Sequence, residues 1–344
     1  MRPHRTPLTA VLLASLFGAA ALVACSGGHR EGPPGPPAEP GAPPTAAPGE
    51  PTRGASLSLK GSDTMVILAQ RFADGYMRSH EGSVLEVSGG GSGTGFAALL
   101  NGTTDIANAS RPINARETAA LRERGTEAVE TRVALDALAV YVSESNTIPS
   151  LTMAQLSGIF RGEITNWSAV GGSDAPIILY SRENNSGTYA YFKEHVLDGA
   201  DFAATAQTLP GTAAVINAVS HDPNGIGYGG IGYAEGVRTV PLAAEGAAPV
   251  APTMENAVNG SYPISRFLLM YTAGPPTGTA ADFLAWVLTP EAQALVTEAG
   301  FFPLPGAAAG GAGGPGSEAA PSPGASPEGT APAPSAPAEL EAGS

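Results

Sequence analysis

The sequence predicts an α/β fold with sheets covered by helices on both faces. Three observations point there. Strand-like and helix-like segments alternate from residue 56 to residue 299. The strand-to-helix joints are rich in Gly, Ser and Thr. Low-complexity sequence brackets this region on both sides, leaving about 250 residues, 56 to 305, as the folded part.

The elements follow in order. Ser56–Lys60 reads as a short strand, and Val66, Ala69, Phe72, Ala73, Tyr76 and Met77 repeat at helical spacing within Thr64–Arg78. Val84–Val87 is a strand. The glycine-rich stretch Gly89–Gly95 then leads into a helix of about two turns through Leu99 and Leu100. Ile106–Ala109 is strand-like, Ala115–Arg124 is helical, and the apolar run Val133–Val142 reads as a buried strand crossing the molecule. Thr152–Phe160 is a helix capped by Thr152. Ile177–Tyr180 and Gly225–Tyr228 are strands flanking helices at Ser186–Val196 and Gly211–Ser220. Ile264–Tyr271 is a further strand, and helices at Thr279–Leu288 and Pro290–Ala299 complete the set, Pro290 standing at a favoured first-turn position.

The ends carry different information. Basic Arg2, His4 and Arg5 precede an apolar run from Leu8 to Ala24, the layout of a signal peptide over residues 1–24. The run is followed by Pro- and Gly-rich sequence, which argues against a spanning helix. It closes on Leu22-Val23-Ala24-Cys25, which resembles the lipobox of bacterial lipoproteins and implies acylation of Cys25. Cys25 is the sole cysteine, so no intramolecular disulfide forms. Residues 25–55 and 306–344 are dominated by Pro, Gly, Ala, Ser and Glu; they read as a tether and a tail without a core of their own.

In α/β folds ligands sit outside the carboxyl ends of strands, beside helix N-termini. Three loops of that kind carry small and hydroxylated residues. Gly61-Ser62-Asp63-Thr64-Met65 can present backbone N–H groups to an anion, or can simply cap the following helix. Ser88–Gly95 has five glycines in eight residues, which lets the backbone approach a ligand closely; a flexible surface loop is the alternative. Ser181–Tyr189 offers Ser186, Gly187 and Thr188 at a helix start with Arg182 as a planar fork for an oxyanion, against the alternative of a plain capped turn. Together they supply many neutral donors, which a dehydrated anion needs.

Other chemistries fit less well. The formal charge of −14 disfavours nucleic-acid binding, and means that any anion must be held by local arrangement. There is no P-loop and no Gly-x-Ser-x-Gly elbow, while Gly93–Ala98 matches a dinucleotide fingerprint only formally. His4 and His29 fall in the leader and tether; His80, His195 and His221 fall on polar helix positions. One cysteine and scattered histidines make no metal cluster, and no cofactor is expected.

At these loops the chain resembles the phosphate-binding proteins of bacterial phosphate ABC importers, over nearly all of residues 57–305. The resemblance extends to Leu151–Phe160, Gly162–Trp167, Gly225–Tyr228 and Tyr262–Arg266. It implies two α/β lobes, 56–137 plus 236–305 and 138–235, joined by a two-strand hinge near 137–141 and 233–238 and closing on the ligand like a clamp. It implies phosphate contacts from Thr64 and the backbone of Met65, from Ser92, and from Arg182, Ser186, Gly187 and Thr188. One branch of the family has an aspartate after the Ala-Ser that ends the strand following the glycine loop; it accepts the phosphate's proton and excludes sulfate. Here that stretch reads Asn108-Ala109-Ser110-Arg111, so Arg111 is expected as a second charged donor and Asp63 as proton acceptor or helix cap. The implied partners are inorganic phosphate, the permease subunits of an importer and, through Cys25, a membrane; a monomer without enzymatic turnover is expected, on the periplasmic or cell-surface side. The same fold binding sulfate, molybdate or an organic phosphate, and a phosphohydrolase using the same pocket, are the alternatives.

Overall fold

The computed structural model describes residues 56–306. The leader, Cys25 and the tether, and all of the tail beyond Gly306, lie outside the described residues.

The elements run β1 (Ser56–Gly61), a 3₁₀ turn (Asp63–Met65), α1 (Val66–Ser79), β2 (Val84–Ser88), α2 (Ser92–Leu100), β3 (Ile106–Ala109), α3 (Ala115–Glu123) and β4 (Ala128–Val142). Then come β5 (Leu151–Thr152), α4 (Met153–Phe160), β6 (Ile178–Arg182), α5 (Gly187–His195), β7 (Gln207–Leu209), α6 (Gly211–His221) and β8 (Gly225–Gly230). The last third holds β9 (Arg238–Thr239), β10 (Leu242–Ala243), α7 (Met254–Val258), β11 (Ser265–Ala273), α8 (Gly278–Val287) and α9 (Pro290–Glu298). The longer elements fall where the hydrophobic periodicity puts them. The short β5, β7, β9, β10 and α7 were not anticipated, because two to five residues carry no periodicity.

One sheet runs β2-β1-β3-β11-β4-β8-β6-β7, with β9 attached to β4. The strands β2-β1-β3 are parallel to one another, β11 is antiparallel to both β3 and β4, and β8-β6-β7 are again parallel. This order places two parallel units on either side of the long, central β4. The change of partner falls at one point in β4: Ala137 still pairs with Ser265 of β11, while Leu138 pairs with Gly230 of β8. Every residue from Val133 to Val142 is buried, as the apolar run predicts.

Two cores flank this switch. Leu57, Leu59, Leu68, Phe72 and Ile106 pack with Phe283, Val287 and Val296 from the last two helices. Leu156, Phe160, Trp167, Phe192, Ile226 and Tyr228 form the second core, where Phe192 stacks on Tyr228 at 4.0 Å between centroids. α2 covers the opposite face of the first unit through Phe96 and Leu99, and α6 that of the second through Val215 and Val219. Both sheet faces are thus covered in each unit.

The packing differs from expectation in one stretch. Val240, Leu242, Ala257, Tyr262 and Ile264 belong to the second core, although 236–305 was expected in the first lobe. The cause is local pairing: β9 extends the β4 edge at Tyr141 and Val142, and β10 pairs with β5. The chain touches the first core at Gly232, whose backbone lies against Phe301 and Ala299. It returns there for good only at β11.

Candidate functional site

Four helix-opening segments converge where the two units meet. The 3₁₀ turn brings Thr64, α2 opens with Ser92, α5 with Gly187 and Thr188, and α6 with Thr212. Each follows a strand directly or after a short loop, so each opens beside the carboxyl end of a strand. Sequence sets these starts locally. Ser186 caps α5, its Oγ accepting from the Tyr189 N–H at 3.3 Å. Gly91, at φ +88°, makes the turn into α2, and a side chain there would meet the Asn185 carbonyl.

The hydroxyls form a continuous cluster. Thr64 Oγ1 lies 2.8 Å from Thr188 Oγ1 and 3.5 Å from Thr212 Oγ1. Ser110 Oγ lies 3.4 Å from both Thr188 Oγ1 and Ser92 Oγ, and the Ser110 N–H donates to Ser92 Oγ at 3.1 Å. All five side chains are buried, at 1% exposure or less. Gly187 is required by the close approach: a Cβ there would overlap the hydroxyls of Ser92 and Ser110.

Two guanidinium groups border the cluster. Arg182 Nη1 donates to Thr212 Oγ1 at 2.8 Å, and its Nη2 to Asp63 Oδ2 at 2.9 Å. Arg266 Nη2 donates to Thr188 Oγ1 at 3.1 Å, Nη1 to the Ser110 carbonyl at 2.8 Å and Nε to Asp136 Oδ2 at 3.0 Å. Asp136 also accepts from the Ile231 N–H at 3.0 Å. Burial pushes the Asp136 carboxyl above its ordinary pKa, against the opposite pull of Arg266 and the Ile231 N–H. Burial lowers the Arg182 pKa, and Asp63 opposes that shift. Two arginines and two aspartates give the site a formal charge of zero inside an acidic chain. Arg182 Nε is buried and makes no hydrogen bond within the protein, so donor capacity remains at that guanidinium.

The expected residues divide as follows. Thr64, Ser92, Arg182 and Thr188 lie in or on the cluster, and Gly187 lies against it. Ser186 stands one residue before it as the α5 cap. Met65 is fully buried in the first core, and its N–H bonds the Ser62 carbonyl at 3.0 Å. Both Asp63 carboxylate oxygens are engaged, Oδ1 by the Gly90 N–H at 2.7 Å and Oδ2 by Arg182. Arg111 is not brought to the cluster: it forms a two-pronged pair with Glu117 at 2.7 and 2.8 Å and lies over the Phe96 ring. The second cation at the cluster is Arg266 instead. Sequence reasoning also missed Asp136, Ser110 and Thr212. An aspartate inside the apolar run Val133–Val142 was the available signal, since a carboxylate there needs a buried partner. Thr212 opens a fourth strand-to-helix joint whose strand is only three residues long.

The arrangement is rich in donors, and all four carboxylate oxygens beside it already accept hydrogen bonds. That suits a compact oxyanion stripped of water, held by hydroxyls, helix-start N–H groups and guanidinium edges. Among the described residues, no group of three or more His, Cys, Asp and Glu is placed to hold a metal ion.

Comparison with known proteins agrees with this chemistry. Residues 46–291 match the PBP superfamily domain. The phosphate-binding protein PstS of Pseudomonas aeruginosa is 38% identical over 269 residues, covering 73% of this chain and 83% of that protein. The PstS of Bacillus subtilis is 31% identical over 260 residues, covering 75% and 84%. Among solved structures, a putative phosphate ABC transporter substrate-binding protein with bound phosphate from Clostridium perfringens aligns with a TM-score of 0.66 at 28% identity, covering 72% of this chain and 99% of that one. An ABC-type phosphate transport receptor from Vibrio cholerae aligns at 0.58, also at 28% identity and with the same two coverages. The chain belongs to the PBP superfamily, and within it to the family of the bacterial phosphate-binding proteins PstS.

Proposed function

We propose that this protein is an extracytoplasmic solute-binding protein that captures inorganic phosphate between its two lobes and delivers it to the membrane subunits of an ABC importer. The observation that carries this reading is the buried cluster of five hydroxyls bordered by Arg182 and Arg266, contributed from both sides of the β4 partner switch. In this reading Thr64 and Ser92 serve from one lobe, while the Met65 N–H stays with the Ser62 carbonyl. Arg182, Ser186, Gly187 and Thr188 serve from the other, with Asp63 as the counter-charge of Arg182. Arg111, bound to Glu117, acts outside the first ring of ligands. The lobes divide as 56–137 plus 265–305 and 138–264, with the hinge at the crossing of β4 and β11. Phosphate touching both lobes stabilises the closed form, because the open form lacks half the contacts.

The role is capture without turnover. The chain acts as a monomer, held to a membrane by lipid on Cys25. Among the described residues, no helix is long and apolar enough to cross a membrane.

Thermal unfolding of the full chain with phosphate, arsenate, sulfate and molybdate added separately tests the reading. At about 100 times its dissociation constant a ligand adds roughly 2.7 kcal/mol to stability. A rise with phosphate and arsenate is expected. A rise with sulfate or molybdate alone moves the assignment to another oxyanion, and no rise with any of the four overturns it.

A further inference from the structure

Arg266 and Asp136 lie on the two crossing strands, not in any of the glycine- and hydroxyl-rich loops. Both side chains are all but fully buried, at 2% and 0% exposure. A pair that served only to pin β11 to β4 would need no third partner. Arg266 has two more. Its Nη1 reaches the Ser110 carbonyl at the end of β3, and its Nη2 reaches Thr188 Oγ1 at the start of α5. The second of these lies in the other unit.

The contact with Thr188 has a chemical consequence. A hydroxyl has one proton and two lone pairs. A guanidinium is donor-only, so Arg266 fills a lone pair of Thr188 and leaves its proton to be given elsewhere. Arg182 does the same to Thr212 from the opposite side. Thr64 stands between these two threonines, 2.8 Å from one and 3.5 Å from the other. The chain of hydroxyls therefore accepts a cationic donor at each end. Its two internal hydrogen bonds use two of its three protons, which leaves one proton for an acceptor from outside.

We propose that Arg266 is a positioning residue of the phosphate site: it sets the Thr188 hydroxyl as a donor toward the anion, with Asp136 as its buried counter-charge. The inference rests on the phosphate reading above. Asp136 has a defined part in it. It cancels the charge of Arg266, so the site attracts the anion by oriented protons rather than by excess positive charge.

Titration calorimetry with inorganic phosphate tests the proposal by a double-mutant cycle on the full chain. The variants are the neutral pair Asp136→Asn with Arg266→Gln, Thr188→Val, and the three changes combined. Removing either side of a charge-assisted contact is expected to weaken phosphate binding by about tenfold or more. The combined protein should bind no more than about threefold more weakly than Thr188→Val alone, because the arginine acts through that hydroxyl. A merely structural pair would lower the melting temperature of the phosphate-free protein and give losses that multiply in the combination; multiplying losses overturn the proposal. Wild-type affinity in the neutral pair also overturns it. If the neutral pair does not fold, Arg266→Lys keeps the charge beside Asp136 but cannot span three partners; it should show the same loss, and wild-type binding by it overturns the proposal. Absence of phosphate binding by the wild-type chain in the same experiment would instead remove the underlying reading.

Discussion

The two arginine–aspartate pairs at the cluster have the same chemistry and differ in how far their aspartates are buried. Arg182, the last residue of β6, meets Asp63 in the 3₁₀ turn of the other unit; the aspartate keeps 22% of its side chain exposed and the arginine 1%. Arg266 and Asp136 join neighbouring strands of the sheet, and neither sees solvent. The first pair can lose its arginine at modest cost, because water takes over the charge of Asp63. A buried pair cannot: losing one partner strands the other in a low-dielectric interior. The first pair therefore tolerates the loss of Arg182 better than the loss of Asp63, and the second is a fixed part of the frame on both sides.

Breaking the buried pair should have the largest effect. Arg266→Ala leaves Asp136 buried and unpaired, and should cost about 3–5 kcal/mol of stability, measured by denaturant unfolding without phosphate. A loss under about 1 kcal/mol would mean that water reaches Asp136 and that the two pairs do not differ as described.

Arg182→Ala should reverse the pattern. Phosphate affinity falls by about 2–3 kcal/mol, roughly 30- to 150-fold, because a charge-assisted donor is lost. The phosphate-free protein loses less stability than Arg266→Ala does, since Asp63 can turn to solvent. Equal stability losses in the two variants would erase the contrast.

Asp63→Asn sharpens it further. The amide keeps an acceptor for the Gly90 N–H but removes the charge facing Arg182. The buried Arg182 guanidinium loses its counter-charge but keeps Thr212, so the expected loss in unfolding free energy is about 1–3 kcal/mol, below that of Arg266→Ala. If instead sulfate then binds as well as phosphate, Asp63 is the group that receives the phosphate's proton.

The smallest effect is a pH dependence. Tyr233 donates to the Asp63 carbonyl at 2.8 Å, and burial pushes its phenol up to about 12. A raised acid pKa means that the folded state holds the proton more tightly than the unfolded chain does. Its contribution is therefore complete below the ordinary tyrosine value of about 10 and is lost as pH rises from there through about 12. Tyr191, also pushed up to about 12 by burial, adds a loss of the same sign. Unfolding free energy should be insensitive to these groups near neutrality and fall above pH ~10. Tyr233→Phe should flatten part of that fall, and an unchanged slope would detach Tyr233 from it.

Much of this arrangement was legible before any coordinates. Thr64, Ser92, Gly187 and Thr188 stand out because a helix start after a strand has orphan N–H groups, and short hydroxylated residues are what such a start tolerates beside an anion. Arg182 was visible for the same reason, two residues past the end of a readable strand. Arg111 was visible too, but its guanidinium goes to Glu117, six residues on, at the capping box that opens α3. Adjacency to Ser110 in sequence did not fix which way that side chain turned. Arg266 gave no local sign, because its position beside Thr188 depends on how β11 crosses β4.

By itself, then, the sequence determined the alternation of strands and helices, the joints where anion-binding groups accumulate, and the family. Those are properties of residue type at short range, where periodicity, glycine and capping chemistry decide. The tertiary structure decided which joints meet, which arginine reaches the cluster, and that residues 240–264 pack with the second core. Each of these depends on pairings between residues far apart in the chain, Ala137 with Ser265 and Leu138 with Gly230. A strand pairing is chosen by the burial of the whole sheet rather than by the few residues that make it.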